Sequence, residues 1–251
     1  ASGGKLSATA IAGYRAEVVP PLVIEDAFNG DTFVMMPPPS SGGIAMAQIL
    51  GMTEAAFERA GYPSYGSPEA THALVEAMKT AFANRARFLA DPAFAPVPVD
   101  SLLDQDQIRG AWADEIQLDR ARSADEVAQA TQLPDDSGTS HFSVIDQNRD
   151  AVAWTSTING IFGSLVGDPE SGVVLNNEMD DFTTNPGEGN LFGLRQSEWN
   201  APLPGKHPLS SMSPTIVVDS DGRVRALAGA SGGPRIISGT TQVLLGMRYG
   251  G

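Results

Sequence analysis

The sequence predicts an α+β fold, in which helices and strands occupy separate stretches of the chain. In the first half, apolar residues recur at three- and four-residue spacing, which is the period of an amphipathic helix. From Thr139 onward, short alternating stretches indicate a run of strands, and a last amphipathic stretch predicts a closing helix. Because the helices precede the strands instead of alternating with them, the order does not favour repeated βαβ units.

Helical patterns dominate the first half of the chain. The Pro37-Pro38-Pro39 triplet must end the strand before it, since proline can continue neither a helix nor a central ladder. The clearest helix follows Ser67, with Pro68 at a favourable first position and apolar residues along one face. The predicted elements are a strand at 31–36, helices at 44–50, 67–89, 103–117 and 123–130, and a polar linker at 134–138.

The second half is predicted to form strands and one helix. The strands are expected at 140–146, 151–158, 172–176, 213–218 and 224–229, and the helix at 234–247. The first two strands flank a turn at 147–150 and should form a hairpin, in which positions whose numbers sum to about 296 to 298 face each other. Thr139 would then lie beside Thr157.

Composition limits the classes of function. The 251 residues are 41% apolar, which is enough for a sizeable core, and carry a formal net charge of -14. Such a charge disfavours nucleic acid and anionic membrane surfaces and leaves small molecules as the expected partners. The absence of cysteine excludes disulfides, thiolate catalysis and cysteine zinc sites. No apolar run approaches the roughly 20 residues of a membrane span, and no signal peptide is recognisable.

The ends of the sequence predict a piece of a longer protein. The chain begins at Ala1 without a methionine and stops at Gly251, directly after the predicted closing helix. A core that lacks both ends would expose sheet edges and helix-docking surface.

Thr139 follows the flexible stretch Asp135-Asp136-Ser137-Gly138 and opens the first predicted strand of the second half. A threonine hydroxyl is a poor nucleophile unless a base stands next to it, and a threonine at a chain N-terminus carries its own base, the α-amine. With a reference pKa of about 8, that amine is partly neutral at working pH. Cleavage before Thr139 would therefore create a catalyst whose hydroxyl Thr157 orients. Alternatively, the two threonines form only a hydroxyl contact on a sheet surface.

Gly229-Ala230-Ser231-Gly232-Gly233 stands between a predicted strand and a predicted helix and fits the G-x-S-x-G pattern of a serine hydrolase. That enzyme class needs an acid and then a histidine after the serine, whereas His72, His141 and His207 all precede it. The backbone N–H groups of the same glycines could instead hold the oxyanion of a tetrahedral intermediate. A purely structural turn is the remaining alternative.

Two further segments carry polar groups suited to a small ligand. The segment 176–182 combines amides with the carboxylates of Glu178, Asp180 and Asp181. This cluster could grip a substrate ammonium group or bind calcium, although it lacks the ligand spacing and the glycine of a calcium loop; solvated carboxylates are the third alternative. The segment 208–214 presents neighbouring hydroxyls, which suit a substrate carboxylate but also the ordinary entry to a strand.

Six motifs, taken in their order along the chain, strongly resemble the γ-glutamyltranspeptidase family. They are MPPPSSGG, GTSHFSV, TSTIN, SGVVLNNEMDDF, PLSSMSPTIVV and GASGGPRI. The match spans essentially the whole chain, and several motifs in register are far more specific than any one of them.

The resemblance implies an N-terminal-nucleophile hydrolase fold, an αββα four-layer sandwich that is incomplete here, made as a precursor that cleaves itself. Residues 1–138 would be the C-terminal part of the large subunit and residues 139–251 the N-terminal part of the small subunit, in one composite domain. The implied activity is γ-glutamyl transfer from glutathione and other γ-glutamyl amides to water, an amino acid or a peptide. Neither a cofactor nor a metal is expected, and the family's members are commonly periplasmic or extracellular.

The same resemblance gives each candidate residue a role. Carried over by motif, these are the nucleophile Thr139, its supporting Thr157, the oxyanion-hole Gly232 and Gly233, the α-amine receivers Asn159, Glu178 and Asp181, and the α-carboxylate receivers Ser210 and Ser211. The sequence departs from the family at Phe192, where many bacterial members have a lid tyrosine, so a lid cannot close through that hydroxyl. The family's upstream arginine segment for the substrate carboxylate is also missing from this sequence.

Two alternatives accompany this reading. A related amidase, such as a cephalosporin acylase or a poly-γ-glutamate-cleaving enzyme, would use the same nucleophile, although Glu178 and Asp181 favour a substrate with a free α-amine. An inactive fragment of the family would release no amine from any γ-glutamyl donor.

Overall fold

The computed structural model of the protein describes residues 7–28, 30–123 and 138–250. All but the first residue of the helix predicted at 123–130, and the linker before Gly138, lie outside the described residues. The helices are α1 (Ala8–Gly13), α2 (Gly42–Arg59), α3 (Pro68–Phe88), α4 (Val99–Leu102) and α5 (Arg235–Tyr249). The strands are β1 (Leu22–Phe28), β2 (Asp31–Met35), β3 (Ser140–Ile145), β4 (Ala151–Ser156), β5 (Thr215–Val218) and β6 (Val224–Ala228). A π-helix at Gln107–Trp112 and 3-10 helices at Glu178–Asp181 and Glu198–Asn200 are shorter elements of the described chain.

Strands β1, β2, β5 and β6 form one antiparallel sheet in that order. Side chains alternate between the two faces of a strand, so one face of this sheet presents Phe33, Val217 and Ala228. These residues are buried in one apolar cluster with residues of α2, α3 and α5. The predicted α+β class is therefore confirmed, with the main core between this sheet and the helices.

Helix α2 extends beyond the predicted 44–50 at both ends, and its first residue, Gly42, is packed against another segment. A Cβ on Gly42 would lie 2.3 Å from Ser213 Oγ and 2.4 Å from the carbonyl oxygen of Met212. Only a glycine permits this approach, which brings the start of α2 beside the 210–213 segment. Helix α3 begins as predicted, with Ser67 Oγ accepting the Ala70 N–H at 3.2 Å.

Strands β3 and β4 form a separate two-stranded sheet that packs against β5 and β6. Its register runs from the Ser140–Ser156 pair to the Ile145–Ala151 pair, as predicted from the turn. The ring of His141 lies directly on Gly229, where a Cβ would come within 2.2 Å of the imidazole. The hairpin therefore brings the start of β3 to the loop that follows β6.

The outer face of the β3–β4 hairpin carries large apolar side chains that remain exposed. Phe142 and Trp154 stack across the strands with their ring centroids 6.0 Å apart, and each is about half exposed at 52% and 54%. The described residues thus form a helical layer, a four-stranded sheet and a hairpin, in that order.

The strand predicted at 172–176 was wrong. No strand forms at 172–176, where the structure has only an isolated bridge between Gly167 and Val174. The chain turns back after Gly167 through Gly172, which has a φ of +73° and donates to the Asp168 carbonyl at 2.8 Å. The apolar residues that follow this turn therefore pair only with the loop before it, which leaves no partner strand for a ladder.

The helix predicted at 103–117 is present but shorter, since its helical residues run from Gln105 to Asp114. Helix α4 ends at Leu102, and Asp104 then starts a new helical segment by accepting the Gln107 N–H at 2.7 Å. That segment contains the π-helix and buries Ile108 completely. Among the described residues, no helix has both the length and the apolar character to cross a bilayer.

Candidate active site

Thr139 lies immediately before β3, and its half-buried hydroxyl is held by the next strand. Its Oγ1 donates to Thr157 Oγ1 at 3.0 Å, and the same Thr157 oxygen accepts the Asn159 N–H at 2.9 Å. The predicted pairing of the two threonines is confirmed. The hydroxyl of Thr139 is therefore fixed in one orientation by a neighbour that is itself anchored to the backbone.

Gly138 is pressed against the loop that follows β4. Its N–H donates to the Asn159 carbonyl at 2.9 Å, and a Cβ on it would lie 2.2 Å from the Gly160 carbonyl oxygen. The peptide bond between Gly138 and Thr139 is consequently held close to the Thr157 hydroxyl, at a position that admits no side chain before Thr139.

Asn159 connects this threonine pair to the acidic segment. It is buried with a φ of +70°, a left-handed conformation that asparagine adopts more readily than most residues. Its Nδ2 donates to the Asn177 carbonyl at 3.3 Å, while Asn177 Oδ1 accepts the Gly160 N–H at 2.8 Å. These contacts place Glu178, the next residue in the chain, beside the loop that carries Thr157.

Glu178 and Asp181 form a pair of carboxyl groups on one 3-10 turn and share a hydrogen bond. Burial, followed by the negative charge of Glu178, raises the pKa of Asp181 to about 8, and burial likewise raises the pKa of Glu178. Two like charges on one half-buried turn disfavour each other's ionisation, so the pair keeps one proton at neutral pH. Glu178 Oε1 is buried without a hydrogen-bond partner, which makes the pair suited to a cationic donor such as an ammonium group.

This pair makes the stability of the fold depend on pH. Because the pKa of Asp181 is raised from 3.8 to about 8, the folded protein keeps a proton that the unfolded chain releases within this range. The free energy of unfolding should therefore fall as the pH rises from about 4 to about 8. Urea unfolding of the wild type and of Asp181→Asn at several pH values measures the effect. The variant should show a flatter profile and greater relative stability above pH 8, and an unchanged slope would contradict the assignment.

Arg85 is a site residue that the sequence analysis missed. It lies on α3 and is 2% exposed. Its Nε donates to Ser41 Oγ at 2.9 Å, and its Nη2 donates to Ser211 Oγ at 3.4 Å. Burial lowers the pKa of Arg85 to about 10, and the negative charge of Asp181 opposes that shift. Its spacing in the sequence could have indicated this role, because Arg85 follows the buried Ala77 and Ala81 by eight and four residues and so lies on the same face of α3.

The serine segment lies beside the start of α2. Ser41 binds the Ser210 carbonyl through both its N–H at 2.8 Å and its Oγ at 2.6 Å. Ser210 Oγ accepts the Met212 N–H at 3.1 Å, and the neighbouring Ser211 Oγ accepts from Arg85. The two predicted carboxylate receivers are thus fixed next to a buried positive charge.

Gly232 and Gly233 form the turn between β6 and α5. Both have positive φ, at +111° and +56°, which favours glycine. The ring of Phe192 lies on Gly233, where a Cβ would come within 2.7 Å of it. The conformation and packing of this turn therefore favour glycine at both positions.

The serine-hydrolase alternative lacks a histidine base. His141 contacts Gly229 at the start of this turn, but both of its ring nitrogens already have partners. Nδ1 lies 2.8 Å from Thr155 Oγ1 and Nε2 lies 3.1 Å from Ser143 Oγ. His141 is thus engaged within its own hairpin and is not positioned to activate Ser231.

A short segment connects the acid pair to the glycine turn. Asn190 Nδ2 donates to Asp181 Oδ1 at 2.9 Å, and Asn190 Oδ1 accepts the Phe192 N–H at 3.0 Å. Since Phe192 packs on Gly233, these contacts bring the acidic segment and the predicted oxyanion-hole loop together. Within the described ranges, no group of three His, Asp or Glu side chains is placed to hold a metal ion.

The sequence matches one protein family along almost its whole length. The family model described as Gamma-glutamyltranspeptidase matches residues 1–250. Glutathione hydrolase proenzyme of Escherichia coli (strain K12) is 40% identical over 245 residues, which cover 97% of this chain and 41% of that protein. Glutathione hydrolase 2 of Arabidopsis thaliana is 42% identical over 252 residues, which cover 97% of this chain and 42% of that protein.

The fold of this chain also resembles that of a solved structure. The crystal structure of cephalosporin acylase from Bacillus halodurans superimposes with a TM-score of 0.71 at 24% identity, covering 98% of this chain and 40% of the acylase chain. At this identity the likeness concerns the fold. The chain spans about two-fifths of the length of the relatives it matches.

Proposed function

The chain belongs to the gamma-glutamyltranspeptidase family, and from this premise we propose that it carries the central part of an enzyme that cleaves and transfers γ-glutamyl amides. In this proposal its three layers belong to an αββα sandwich. Residues 1–138 end the large subunit and residues 139–251 begin the small subunit, once the precursor has cleaved itself. The mature protein is periplasmic or extracellular, which cell fractionation can check.

The observation that carries the proposal is the 3.0 Å hydrogen bond between the Thr139 and Thr157 hydroxyls, at the position where the family resemblance puts the nucleophile. For self-cleavage, Thr139 Oγ1 attacks the Gly138 carbonyl carbon, the peptide C–N bond breaks, and water hydrolyses the resulting ester. This reaction leaves Thr139 with a free α-amine, which has a reference pKa of about 8 and can act as a base.

In catalysis, this amine takes the hydroxyl proton while Thr139 Oγ1 attacks the γ-carbonyl carbon of the donor. The N–H groups of Gly232 and Gly233 stabilise the negative oxygen of the tetrahedral intermediate. The intermediate then expels the amine product, which takes up the proton, and leaves a γ-glutamyl ester on Thr139. Water or the amine of an acceptor attacks that ester by the reverse sequence and regenerates the enzyme.

The substrate's amino-acid end is assigned to the remaining candidate residues. Glu178 and Asp181 receive its α-ammonium group, with Asn159 holding the adjoining loop. Ser210 and Ser211 receive its α-carboxylate. Support comes from the unpartnered Glu178 Oε1, which lacks a donor, and from the buried charge of Arg85 next to Ser211.

The test compares two anilides with the natural gene product that contains this chain. γ-Glutamyl-anilide carries an α-amine, and glutaryl-anilide differs by lacking it. We expect mass spectrometry to find a fragment that begins at Thr139, and we expect the γ-glutamyl donor to be cleaved preferentially. Preference for the glutaryl donor would favour the acylase alternative, whereas a folded protein that releases aniline from neither donor would contradict the proposed activity.

Gly138→Ala should slow self-cleavage without impairing the processed enzyme. The new methyl group would collide with the Gly160 carbonyl and push the scissile peptide bond away from Thr139 Oγ1. If restoring the attack geometry costs the usual overpacking energy of about 1–3 kcal/mol, self-cleavage slows by roughly 5- to 150-fold. After cleavage residue 138 is a free chain end, so the collision can be relieved. Gly110→Ala is the matched control, because a Cβ there meets nothing within 4 Å. Time courses of fragment formation measure the rate of self-cleavage. If Gly138→Ala is cleaved as fast as the wild type, the prediction is wrong.

A further inference from the structure

Arg85 is a buried charge without a close ion pair. Its side chain is among the largest fully buried ones, and no carboxylate of the described chain forms an ion pair with it within 4.0 Å. Its Nη1 has no hydrogen-bond partner. Burying a charge in this way costs free energy unless something compensates it, so the position requires an explanation beyond packing.

The contacts of Arg85 join parts of the chain that the proposed cleavage would assign to different subunits. Arg85 and Ser41 precede Thr139, whereas Ser211 and Asp181 follow it. The guanidinium donates to the hydroxyls of both serines and interacts electrostatically with Asp181. One side chain of α3 therefore contacts the segment assigned to the substrate carboxylate and acts on the pair assigned to the substrate amine.

The charges that act on Asp181 come from two elements. Glu178 and Asp180 lie on its own 3-10 turn, and both disfavour its ionised form. Arg85, on α3, is the positive group that opposes them. The other side chains that bind Asp181 are neutral amides: Asn190 donates to its carboxylate, and Gln196 and Asn200 donate to its backbone carbonyl. Among the described groups that act on Asp181, Arg85 is therefore the one whose charge favours the ionised carboxylate.

We infer that Arg85 is a positioning residue, which holds Ser211 and favours loss of the proton shared by Glu178 and Asp181 when the ammonium group of a ligand arrives. This inference rests on the proposed function, since it takes that pair as the ammonium site. When the ligand binds, its N–H groups replace the shared proton, and that proton passes to solvent. Ligand binding and proton release are thereby coupled.

The probe is L-glutamate, which carries both the α-ammonium and the α-carboxylate of a γ-glutamyl donor and has no amide to cleave. Its dissociation constant is measured by calorimetry on the processed protein between pH 6 and 9, in buffers of different ionisation enthalpy. The variants are Arg85→Met, which removes the charge, and Arg85→Lys, which keeps it. Arg87→Met is the matched control, because Arg87 is an exposed arginine on the same helix.

For the wild type, binding at pH 7 should release close to one proton, and affinity should increase up to about pH 8, where Asp181 ionises. Arg85→Met should weaken binding at pH 7 by about tenfold or more and move the pH midpoint upward by about one unit, since a nearby opposite charge typically shifts a carboxyl by that amount. Arg85→Lys should keep the midpoint within about half a unit of the wild type. Arg87→Met should behave as the wild type.

Several outcomes overturn the inference. If the wild type binds L-glutamate at pH 7 without releasing a proton, the inference is wrong. This result needs no variant, so it holds even if Arg85→Met fails to fold. If Arg85→Lys and Arg85→Met weaken glutamate binding equally and the pH midpoint of binding does not change, Arg85 has only a packing role. If γ-glutamyl donors are cleaved but glutamate affinity is independent of pH and of Arg85, the inference alone fails. If neither is bound or cleaved, the proposed function fails with it.

Discussion

Replacing Thr139 by alanine is expected to abolish both self-cleavage and turnover. The substitution removes the only hydroxyl that the proposal uses as a nucleophile, while the backbone of β3 and its register with β4 stay intact. Loss of a nucleophile that works with its own base lowers turnover by on the order of 10³-fold or more. Gel analysis should show a single uncut chain, and release of aniline from γ-glutamyl-anilide should fall to background.

Two companion variants separate chemistry from folding. Thr139→Ser keeps a hydroxyl at the same position and should retain cleavage and part of the activity. Ser140→Ala removes the exposed neighbouring hydroxyl and should leave both almost unchanged. A fragment beginning at residue 139 from the Thr139→Ala variant would show that the hydroxyl is not the attacking group.

Asp181→Asn is expected to destroy recognition of the substrate's α-amine. Asparagine can still accept from Asn190, which donates to Asp181 Oδ1 at 2.9 Å, so the local fold should persist. What is lost is the negative charge that pairs with the ammonium group. Removing one partner of a desolvated charge pair costs about 2–5 kcal/mol, which corresponds to a rise in KM for γ-glutamyl-anilide of roughly 30-fold to several thousand-fold.

The decisive measurement is whether Asp181→Asn impairs only the substrate that carries an α-amine. Glutaryl-anilide has no α-amine, so its slower hydrolysis should change little, and the preference of the enzyme should move towards it. Glu188→Gln removes an exposed carboxylate from the same region and serves as the control. If Asp181→Asn impaired both anilides equally, Asp181 would have a structural role and the ammonium assignment would be wrong.

Local patterns predicted the elements that support the nucleophile. The turn at 147–150 determined the hairpin register, because pairing in a hairpin proceeds residue by residue outward from its turn. This register placed Thr139 beside Thr157. The cap at Ser67 and the apolar face of α3 likewise follow from short-range spacing. The strand predicted at 172–176 failed for the complementary reason: its apolar residues suit a strand, but no neighbouring strand is available to pair with them.

By itself, the sequence determined the candidate site residues and the register that pairs the two threonines, because hydrophobic period, turn residues and motif order are local properties of the chain. Only the tertiary structure decided that Arg85 lies between Ser41 and Ser211, that Phe192 covers Gly233, and that burial beside Glu178 raises the pKa of Asp181. These features depend on burial and on charges brought together from distant segments. Neither the dielectric environment nor the distance between such groups is encoded in their spacing along the chain.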